Sequence, residues 1–315
     1  MNKEDKNNDL SIRDENIDLQ EIFSILNEGK RLIIFTTLFI TLLVTSISFF
    51  FPNKYTSHAV LSSVDQSSSM AGLAGQFAAL SSFAGINLSS GSLDRSEEGI
   101  EILKSFVFFK NLVVNNDLLL ELFASSYWDK ENNNLIFDKD IYDIKNKKWV
   151  YDEEFSIDGV PSLQEVYEWF KDVFSVRRSN DSGFIVLELE HVSPFVAAEV
   201  LNIIIEELNK LTREKDIKSA EQSIIFLEKE ISKTSLLEVK TGLNQLKQEQ
   251  IEKIMIANSS QEYIFKVLSP PYPTEEKSGP NRILIAFFTF LITSIFCIFY
   301  LLFENYFFKK DKDFL

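Results

Sequence analysis

Two long apolar runs near opposite ends of the chain restrict its possible folds more than any other feature. Residues 32–51 and 283–303 contain no Asp, Glu, Lys or Arg. As helices that rise about 1.5 Å per residue, both runs can span the roughly 30 Å hydrocarbon core of a bilayer. Ser and Thr are scattered around both runs, whereas a core helix usually keeps one polar stripe. The runs therefore predict two transmembrane helices.

The first run is predicted to remain in the mature protein as an anchor. A secretory signal peptide is the alternative, but this run begins only at residue 32 and is longer than the usual apolar part of such a peptide. The residues that follow it, Pro52, Asn53 and Lys54, contain no A-x-A cleavage site. We therefore expect a protein that crosses the membrane twice.

Basic residues beside the two runs predict the orientation, because Lys and Arg close to a span favour the cytoplasmic side. Lys30 and Arg31 precede the first run and three lysines follow the second. The residues between the runs offer only Lys54, Lys277 and Arg282 at their edges. This balance predicts a protein of the cell inner membrane with both termini in the cytoplasm and the intervening segment in the periplasm.

The segment between the runs, residues 52–281, is long enough to form a core of its own. It carries 23 Lys and Arg against 36 Asp and Glu, a formal net charge of minus 13. This charge disfavours nucleic acid and anionic lipid as partners. The single cysteine, Cys297, lies in the second run, so the segment has no disulfide. The 31 residues before the first run and the 12 after the second are too short for an output domain.

Local patterns in this segment predict a mixture of strands and helices. Period-two alternation predicts strands over residues 55–61, 174–178, 184–190 and 263–268. Helical spacing covers residues 97–123 and begins again after a capping box at residues 162–165 (SLQE). Residues 129–159 are rich in Asp, Asn and Lys and predict irregular structure. The small-residue stretch 70–88 fits a buried helix, a segment that touches lipid, or a flexible loop.

The longest predicted helix begins at Ser193 and Pro194, which suit the N-cap and the first helical position. Apolar residues then recur in steps of three and four, and the pattern resumes after a break near residues 232–235. A helix of about 38 residues reaches roughly 57 Å, which is too far for a small base domain to cover. We expect its apolar seam to pack on a returning helix or a neighbouring subunit. The candidate positions for helix packing or oligomer contacts are Ile217, Ile224, Leu227 and Ile231.

Prolines follow the last predicted strand on the way to the second run. They include Pro270 and Pro271, which cannot donate a backbone hydrogen bond and therefore keep the chain extended. We predict that these two residues form a membrane linker that positions the second span.

The sequence contains no motif that supports catalysis. The two histidines, His58 and His191, lie in or beside predicted strands without a Cys partner or metal-ligand spacing, so we expect structural roles. Neither a G-x-S-x-G nucleophile motif nor a G-x-x-x-x-G-K-[ST] phosphate loop is present. We therefore predict no catalytic, cofactor-binding or metal-binding residues, no cofactor, and no enzyme activity.

Several short motifs occur in a fixed order along the chain. Residues 55–61 (YTSHAVL) follow a Y-x-S-x-A-x-L pattern, and residues 189–194 (LEHVSP) join a predicted strand to the longest helix. Residues 250–257 (QIEKIMIA) and 262–267 (EYIFKV) follow Q-x-x-x-x-M-x-A and E-Y-x-F-x-V patterns. In this order the motifs resemble the chain length determinant family, the Wzz-type polysaccharide co-polymerases. The sequence departs from the family at residues 269–271 (SPP), where Asp-Pro-Ala is typical, and its second run lacks the family's frequent glycines.

The resemblance implies an α+β protein in which two transmembrane helices enclose a periplasmic α/β base with a long extended helical hairpin. Such proteins assemble as ring-like homo-oligomers and set the modal chain length of lipopolysaccharide O antigen, or of a related surface polysaccharide, by acting on the polymerase. The implied partners are further copies of the chain and the O-antigen polymerase, with the growing polysaccharide left open. Nucleic acid is not among them.

The expected domain boundaries follow from the runs and the resemblance. Two cytoplasmic tails, two transmembrane helices and one periplasmic domain are expected. The tails cover residues 1–31 and 304–315, the transmembrane helices cover residues 32–51 and 282–303, and the periplasmic domain covers residues 52–281. Within the periplasmic domain, the base covers residues 52–193 and 258–281, and the long helical hairpin covers residues 194–257.

Two other classes of function also fit a two-span protein. A periplasmic sensor needs an output domain or a partner kinase, and the short tails supply no such domain. An adaptor of an export pump also contains a long helical hairpin, but the second span and the absence of lipoyl-like or barrel halves argue against it.

Overall fold

The computed structural model of the protein describes residues 19–64, 95–153 and 156–305, and the small-residue stretch 70–88 lies outside these residues. The chain divides into two compact units. One consists of Pro52–Gly279, and the other holds the described residues on either side of it.

Helices and strands alternate along the described residues. The helices are α1 (Leu19–Ser48), α2 (Arg95–Leu103), α3 (Phe106–Asn116), α4 (Leu119–Phe123), α5 (Leu163–Val173), α6 (Pro194–Lys233), α7 (Leu237–Ser259) and α8 (Arg282–Glu304). The strands are β1 (Tyr55–Ser63), β2 (Ser125–Asp129), β3 (Asn134–Phe137), β4 (Tyr142–Asp143), β5 (Lys148–Trp149), β6 (Phe174–Arg178), β7 (Ile185–His191) and β8 (Phe265–Ser269).

The smaller unit contains the two helices that are long and apolar enough to cross a membrane, α1 and α8. They pack side by side. Helix α1 begins at Leu19, well before the apolar run, because Ile22, Ile25 and Leu26 continue the helical spacing. It ends at Ser48, since the next residues turn ahead of Pro52, which cannot donate a helical hydrogen bond.

The larger unit is built on a four-stranded antiparallel sheet with the strand order β6-β7-β1-β8. Tyr55 of β1 lies opposite His191 of β7, and Leu61 lies opposite Ile185. Along β7 every second residue is buried, which is the period-two pattern that the sequence indicates. The core on this face includes Leu61, Phe109, Leu112, Leu187, Leu189, Leu201, Ile204 and Phe265.

Residues 129–159, predicted to be irregular, contain much of a tandem pair of β-hairpins, so that prediction is wrong. The first hairpin pairs β2 with β3 and the second pairs β4 with β5. Asp129 and Asp143 each accept hydrogen bonds from two backbone N–H groups in their turns, and Asn133 and Lys147 both have a φ of 51°. The left-handed turn residues are not glycine, and the second pair of strands has two residues each, so the sequence carries little hairpin signal.

Helices α6 and α7 lie side by side and run in opposite directions. Lys247 of α7 forms an ion pair with Glu228 of α6 at 2.9 Å, and nearer the sheet Lys253 lies 3.3 Å from Asp216. The first half of α6, up to Thr212, contributes most of its buried residues. Beyond that point only Ala220 and Leu227 of α6 and Ala257 of α7 are buried among the residues of these two helices.

Candidate functional site

The structure places the four predicted seam residues on the side of α6 that is partly covered. Leu227 is 8% exposed, whereas Ile217, Ile224 and Ile231 are half-buried. Leu227 also lines a cavity of about 420 Å³ between α6 and α7, together with Leu246. This position is therefore used, at least in part, for packing within one chain.

The predicted seam leaves out apolar residues of this helix pair that are more than half exposed. Ile225 and Phe226 are 68% and 61% exposed, one and two positions after the predicted seam residue Ile224. Beyond the turn, Leu236 and Leu237 are also exposed. Residues 224–227 (IIFL) are all apolar, and successive helical residues point about 100° apart, so one partner helix cannot cover all four. These four consecutive apolar residues were the sequence feature that could have indicated the exposed positions.

A polar cluster joins α6 and α7 to the base. Asp216 of α6 forms ion pairs with Arg95 of α2 and with Lys253 of α7, and it accepts a 2.6 Å hydrogen bond from the Tyr263 hydroxyl. Burial alone raises the pKa of Asp216, but the Tyr263 hydrogen bond and the two positive charges outweigh it and hold the pKa below its ordinary value. The cluster therefore ties four segments together around one ionised carboxylate.

Asn209 replaces a missing strand partner where the chain returns to the sheet. Its Oδ1 accepts hydrogen bonds from the backbone N–H groups of Tyr263, Ile264 and Phe265 at 2.9 to 3.1 Å. Its Nδ2 donates to the Phe265 carbonyl at 3.1 Å. Because a side chain takes these N–H groups, the regular ladder of β8 begins at Phe265 and not at the predicted residue 263.

The two histidines lie in different surroundings. His191 is buried, its Nδ1 accepts from the Ser193 backbone N–H at 3.1 Å, and its Nε2 lies 3.0 Å from the Glu121 carbonyl. These partners fix a neutral ring with the proton on Nε2, and burial lowers the pKa of His191. His58 is half-exposed and lies 3.4 Å from Glu188. In the part of the chain that the structure describes, no group of three or more His, Cys, Asp or Glu is placed to hold a metal ion.

The comparison with protein families gives a match over part of the chain. Residues 15–115 match the model described as the chain length determinant protein, Wzz. This part of the chain is therefore similar to the chain length determinant family. The match covers α1, β1 with its YTSHAVL motif, α2 and all but the last residue of α3. The motifs at residues 189–194, 250–257 and 262–267 lie outside it.

Two solved structures show similarity to this chain. A full-length bacterial polysaccharide co-polymerase is 11% identical, with a TM-score of 0.38 over 91% of this chain and 97% of that one. A fragment of WzzB, the polysaccharide co-polymerase from Salmonella Typhimurium, is 11% identical, with a TM-score of 0.29 over 72% of this chain and 100% of that one. No curated protein sequence matches.

The linker after β8 is held against the sheet. Strand β8 ends at Ser269, and Pro270 and Pro271 cannot extend the ladder because they have no N–H group. The Ser57 hydroxyl of β1 instead donates to the Tyr272 carbonyl at 3.0 Å. Pro270 is exposed and Pro271 is half-buried. One side-chain hydrogen bond therefore holds the linker beside β1 where backbone pairing is impossible.

The first and last residues of the larger unit are also joined. The Lys54 N–H donates to the Gly279 carbonyl at 2.9 Å, and the Ser278 N–H donates to the Lys54 carbonyl at 2.8 Å. The Lys54 ammonium adds a 2.8 Å ion pair with Glu190 of β7. The chain therefore enters and leaves this unit at one place.

Within the helix pair of the smaller unit, Arg282 caps the end of α1. Its guanidinium donates to the carbonyls of Ser48 and Phe51 at 3.4 and 3.3 Å, and it lies 4.8 Å from the centre of the Phe49 ring. The carbonyls at a helix C-terminus lack intrahelical partners and carry partial negative charge, so a cation there is stabilising. This contact gives a reason for a basic residue at a position that the charge rule for orientation does not favour.

Proposed function

We propose that the protein is a non-catalytic regulator of the modal chain length of lipopolysaccharide O antigen or a related surface polysaccharide. In this proposal it forms a homo-oligomeric scaffold that acts on the polysaccharide polymerase in the inner membrane. The match of residues 15–115 to the chain length determinant family is the observation that carries the proposal. Members of this family regulate a polymerase and do not catalyse a reaction themselves.

The membrane arrangement is part of the same proposal. We place α1 and α8 across the inner membrane, residues 52–281 in the periplasm and both termini in the cytoplasm. The length and apolar composition of the two helices support the spans, and Lys30 and Arg31 support the orientation. Alkaline phosphatase fused after Gly279 should be active, and the same enzyme fused to the C-terminus should be inactive.

Exposed apolar residues on α6 and α7 support the oligomeric part of the proposal. Ile225, Phe226, Leu236 and Leu237 lie within thirteen consecutive residues of the helix pair, and all four are more than half exposed. Apolar side chains concentrated in this way commonly mark a protein contact. A second copy of the chain would bury them, whereas the seam residue Leu227 is already buried within one chain.

The decisive experiment is deletion of the gene followed by gel analysis of lipopolysaccharide. We expect the clustered band pattern of the parent strain to become an unregulated ladder, and a plasmid copy to restore the cluster. An unchanged band pattern would contradict the proposal. Purification of the tagged protein should bring down a polysaccharide polymerase. Recovery of an export channel or a kinase in its place would favour the pump adaptor or the sensor.

A further inference from the structure

Side-chain contacts around Glu190 reinforce the place where the chain enters and leaves the larger unit. Glu190 Oε1 lies 2.8 Å from the Lys54 ammonium. The Ser278 hydroxyl lies 3.3 Å from Glu190 Oε2 and 3.0 Å from the Lys54 carbonyl. We call this group, together with the backbone hydrogen bonds of Lys54 to Ser278 and Gly279, the exit joint. The exit joint brings together three segments: the start of the larger unit, the end of β7 and the end of the linker.

The backbone part of the exit joint is short. Lys54 and Gly279 form an isolated bridge, and the regular pairing of β1 with β7 starts one residue later. The linker residues just before the joint, 275–277, are exposed. Exposed backbone hydrogen bonds with few neighbours belong to the less stable parts of a fold, so a bridge of this kind opens easily by itself. The Glu190 carboxylate contacts a side chain on each side of the bridge and therefore holds it closed.

The exit joint also lies close to both apolar helices along the chain. Residues 49–53 separate α1 from Lys54, and only two residues separate Gly279 from α8. Each residue spans at most about 3.6 Å, so connections of this length leave the ends of the helices little freedom while the joint is closed. Within the smaller unit, Arg282 joins the same two segments again by capping α1. Opening the exit joint would release one of these two restraints.

We propose that Glu190 is a positioning residue that couples the two apolar helices to the larger unit as a pair. While the exit joint is closed, a movement of the larger unit reaches α1 and α8 together, whereas an open joint lets the linker absorb part of it. This proposal rests on the proposed function, in which a scaffold outside the membrane acts on a polymerase within it. The Lys54 and Glu190 side chains are 46% and 30% exposed, so their ion pair adds little stability and acts mainly on position.

Glu188 provides a matched comparison on the same strand. It lies two residues before Glu190, and its side chain is 27% exposed. Glu188 forms ion pairs with Arg177 of β6 and His58 of β1. Among the residues that the structure describes, none of its hydrogen bonds or ion pairs reaches the linker. The two carboxylates therefore share strand, charge and approximate exposure, and they differ in whether they contact the exit joint.

Hydrogen exchange of the full-length protein in detergent tests the exit joint directly. Lys54 and Ser278 donate their backbone N–H groups to the bridge, so exchange at these two positions reports its opening. Glu190→Gln should raise both exchange rates by about two- to fivefold, the size expected for one partly exposed ion pair. Glu188→Gln should leave both rates unchanged. Equal rates in the two variants would overturn the proposal.

Lipopolysaccharide banding in a deletion strain tests the coupling. A plasmid that carries Glu190→Gln should give a broader band cluster than the wild-type plasmid, because the two helices no longer follow the larger unit together. A plasmid with Glu188→Gln should restore the wild-type cluster. An unchanged cluster with Glu190→Gln, despite faster exchange, would refute the coupling and leave the proposed function intact, since the deletion itself tests that function.

A disulfide in place of the exit joint provides a rescue. Paired residues of an antiparallel bridge have Cα atoms about 5.5 Å apart, a distance that a disulfide can span. A Cβ atom added at Gly279 meets no atom within 4 Å apart from its chain neighbours, so a cysteine fits there. In a Cys297→Ser background, Lys54→Cys with Gly279→Cys should narrow the band cluster of Glu190→Gln. Lys54→Cys alone should not.

The rescue separates positioning from any other role of Glu190. A disulfide that forms, as shown by thiol labelling, without narrowing the cluster would mean that Glu190 acts otherwise than by holding the joint closed, and the proposal would fail. Failure of the disulfide to form in the oxidised protein would show that Lys54 and Gly279 are not held together, which also contradicts it.

Discussion

At the scale of single residues, two buried polar side chains form hydrogen bonds to backbone groups that regular strand or helix pairing would otherwise satisfy. Asn209 accepts hydrogen bonds from three consecutive N–H groups at the start of β8, and His191 joins the end of β7 to the start of α6 through Ser193. Sequence patterns did not reveal the Asn209 contacts, since they join residues more than 50 positions apart. A buried Asn in a helix gives no sign of its partner.

Asn209→Ala should destabilise the larger unit by about 2–4 kcal/mol, because three buried N–H groups lose their acceptor. Thermal unfolding of the full-length protein in detergent measures the effect. The control Asn244→Ala removes an exposed side chain from α7 and should change stability by no more than about 0.5 kcal/mol. Equal shifts in the two variants would show that the Asn209 hydrogen bonds contribute little.

Stability should fall as the pH drops below about 6.5, the ordinary pKa of histidine. The pKa of His191 is lowered in the folded protein, so in this range the unfolded state binds a proton that the folded state does not. His191→Asn should lose part of this pH dependence, and His58→Asn, the only other histidine variant, should keep it. Unfolding temperatures between pH 7.5 and pH 5.5 supply the comparison, and identical slopes in all three proteins would refute the role of His191.

At the scale of elements, the sequence predicted those strands and helices that have regular periodicity or a clear cap. Strands β6 and β7 lie within one residue of their predicted bounds, and α5 and α6 begin at the predicted caps, Ser162 and Ser193. The Ser162 hydroxyl accepts from the Glu165 N–H at 3.3 Å, but the Glu165 carboxylate accepts from Tyr151. The tertiary contact with Tyr151 therefore takes the carboxylate that the capping-box pattern assigns to the helix N-terminus.

Periodicity also could not decide which apolar residues of α6 remain exposed. The predicted seam residues Ile224 and Leu227 lie on the partly covered side, but the uncovered neighbours Ile225 and Phe226 belong to the same apolar run. The direction of each side chain becomes known only when α7 is in place.

A variant with Ile225→Ser and Phe226→Ser should form smaller assemblies, because it removes apolar surface that the proposed contact between copies would bury. Its unfolding temperature should change little, since both residues are exposed in one chain. Leu227→Ala should do the opposite and destabilise the chain by about 2–3 kcal/mol with the assembly retained. Mass photometry in detergent and thermal unfolding separate the two effects, and an unchanged mass for the double variant would contradict this interface.

At the scale of the whole molecule, the composition of the chain and the order of its segments predicted more than any local motif. Two apolar helices enclosing an acidic α+β unit, together with the order of several weak motifs, indicated the same family that residues 15–115 match. The sequence did not predict the tandem hairpins, because Asp, Asn and Lys are also the dominant residues of irregular segments.

The linker gives a prediction that rests on the proposed function. Pro270→Ala with Pro271→Ala should broaden the O-antigen band cluster, since the chain between β8 and the second apolar helix becomes less restricted. Expression and unfolding temperature should stay close to wild type because Pro270 is exposed and Pro271 is only half-buried. The control Glu275→Ala with Glu276→Ala lies in the same linker and should preserve the band pattern. A narrow cluster in the proline variant would argue against this role.

The similarity of the two hairpins has an evolutionary consequence. Asp143 and Asn146 repeat Asp129 and Asn132 at an offset of 14 residues, with the same turn geometry. Duplication or loss of one such unit changes the chain by a whole hairpin, and the strands of the central sheet keep their register because none of them lies inside the repeat.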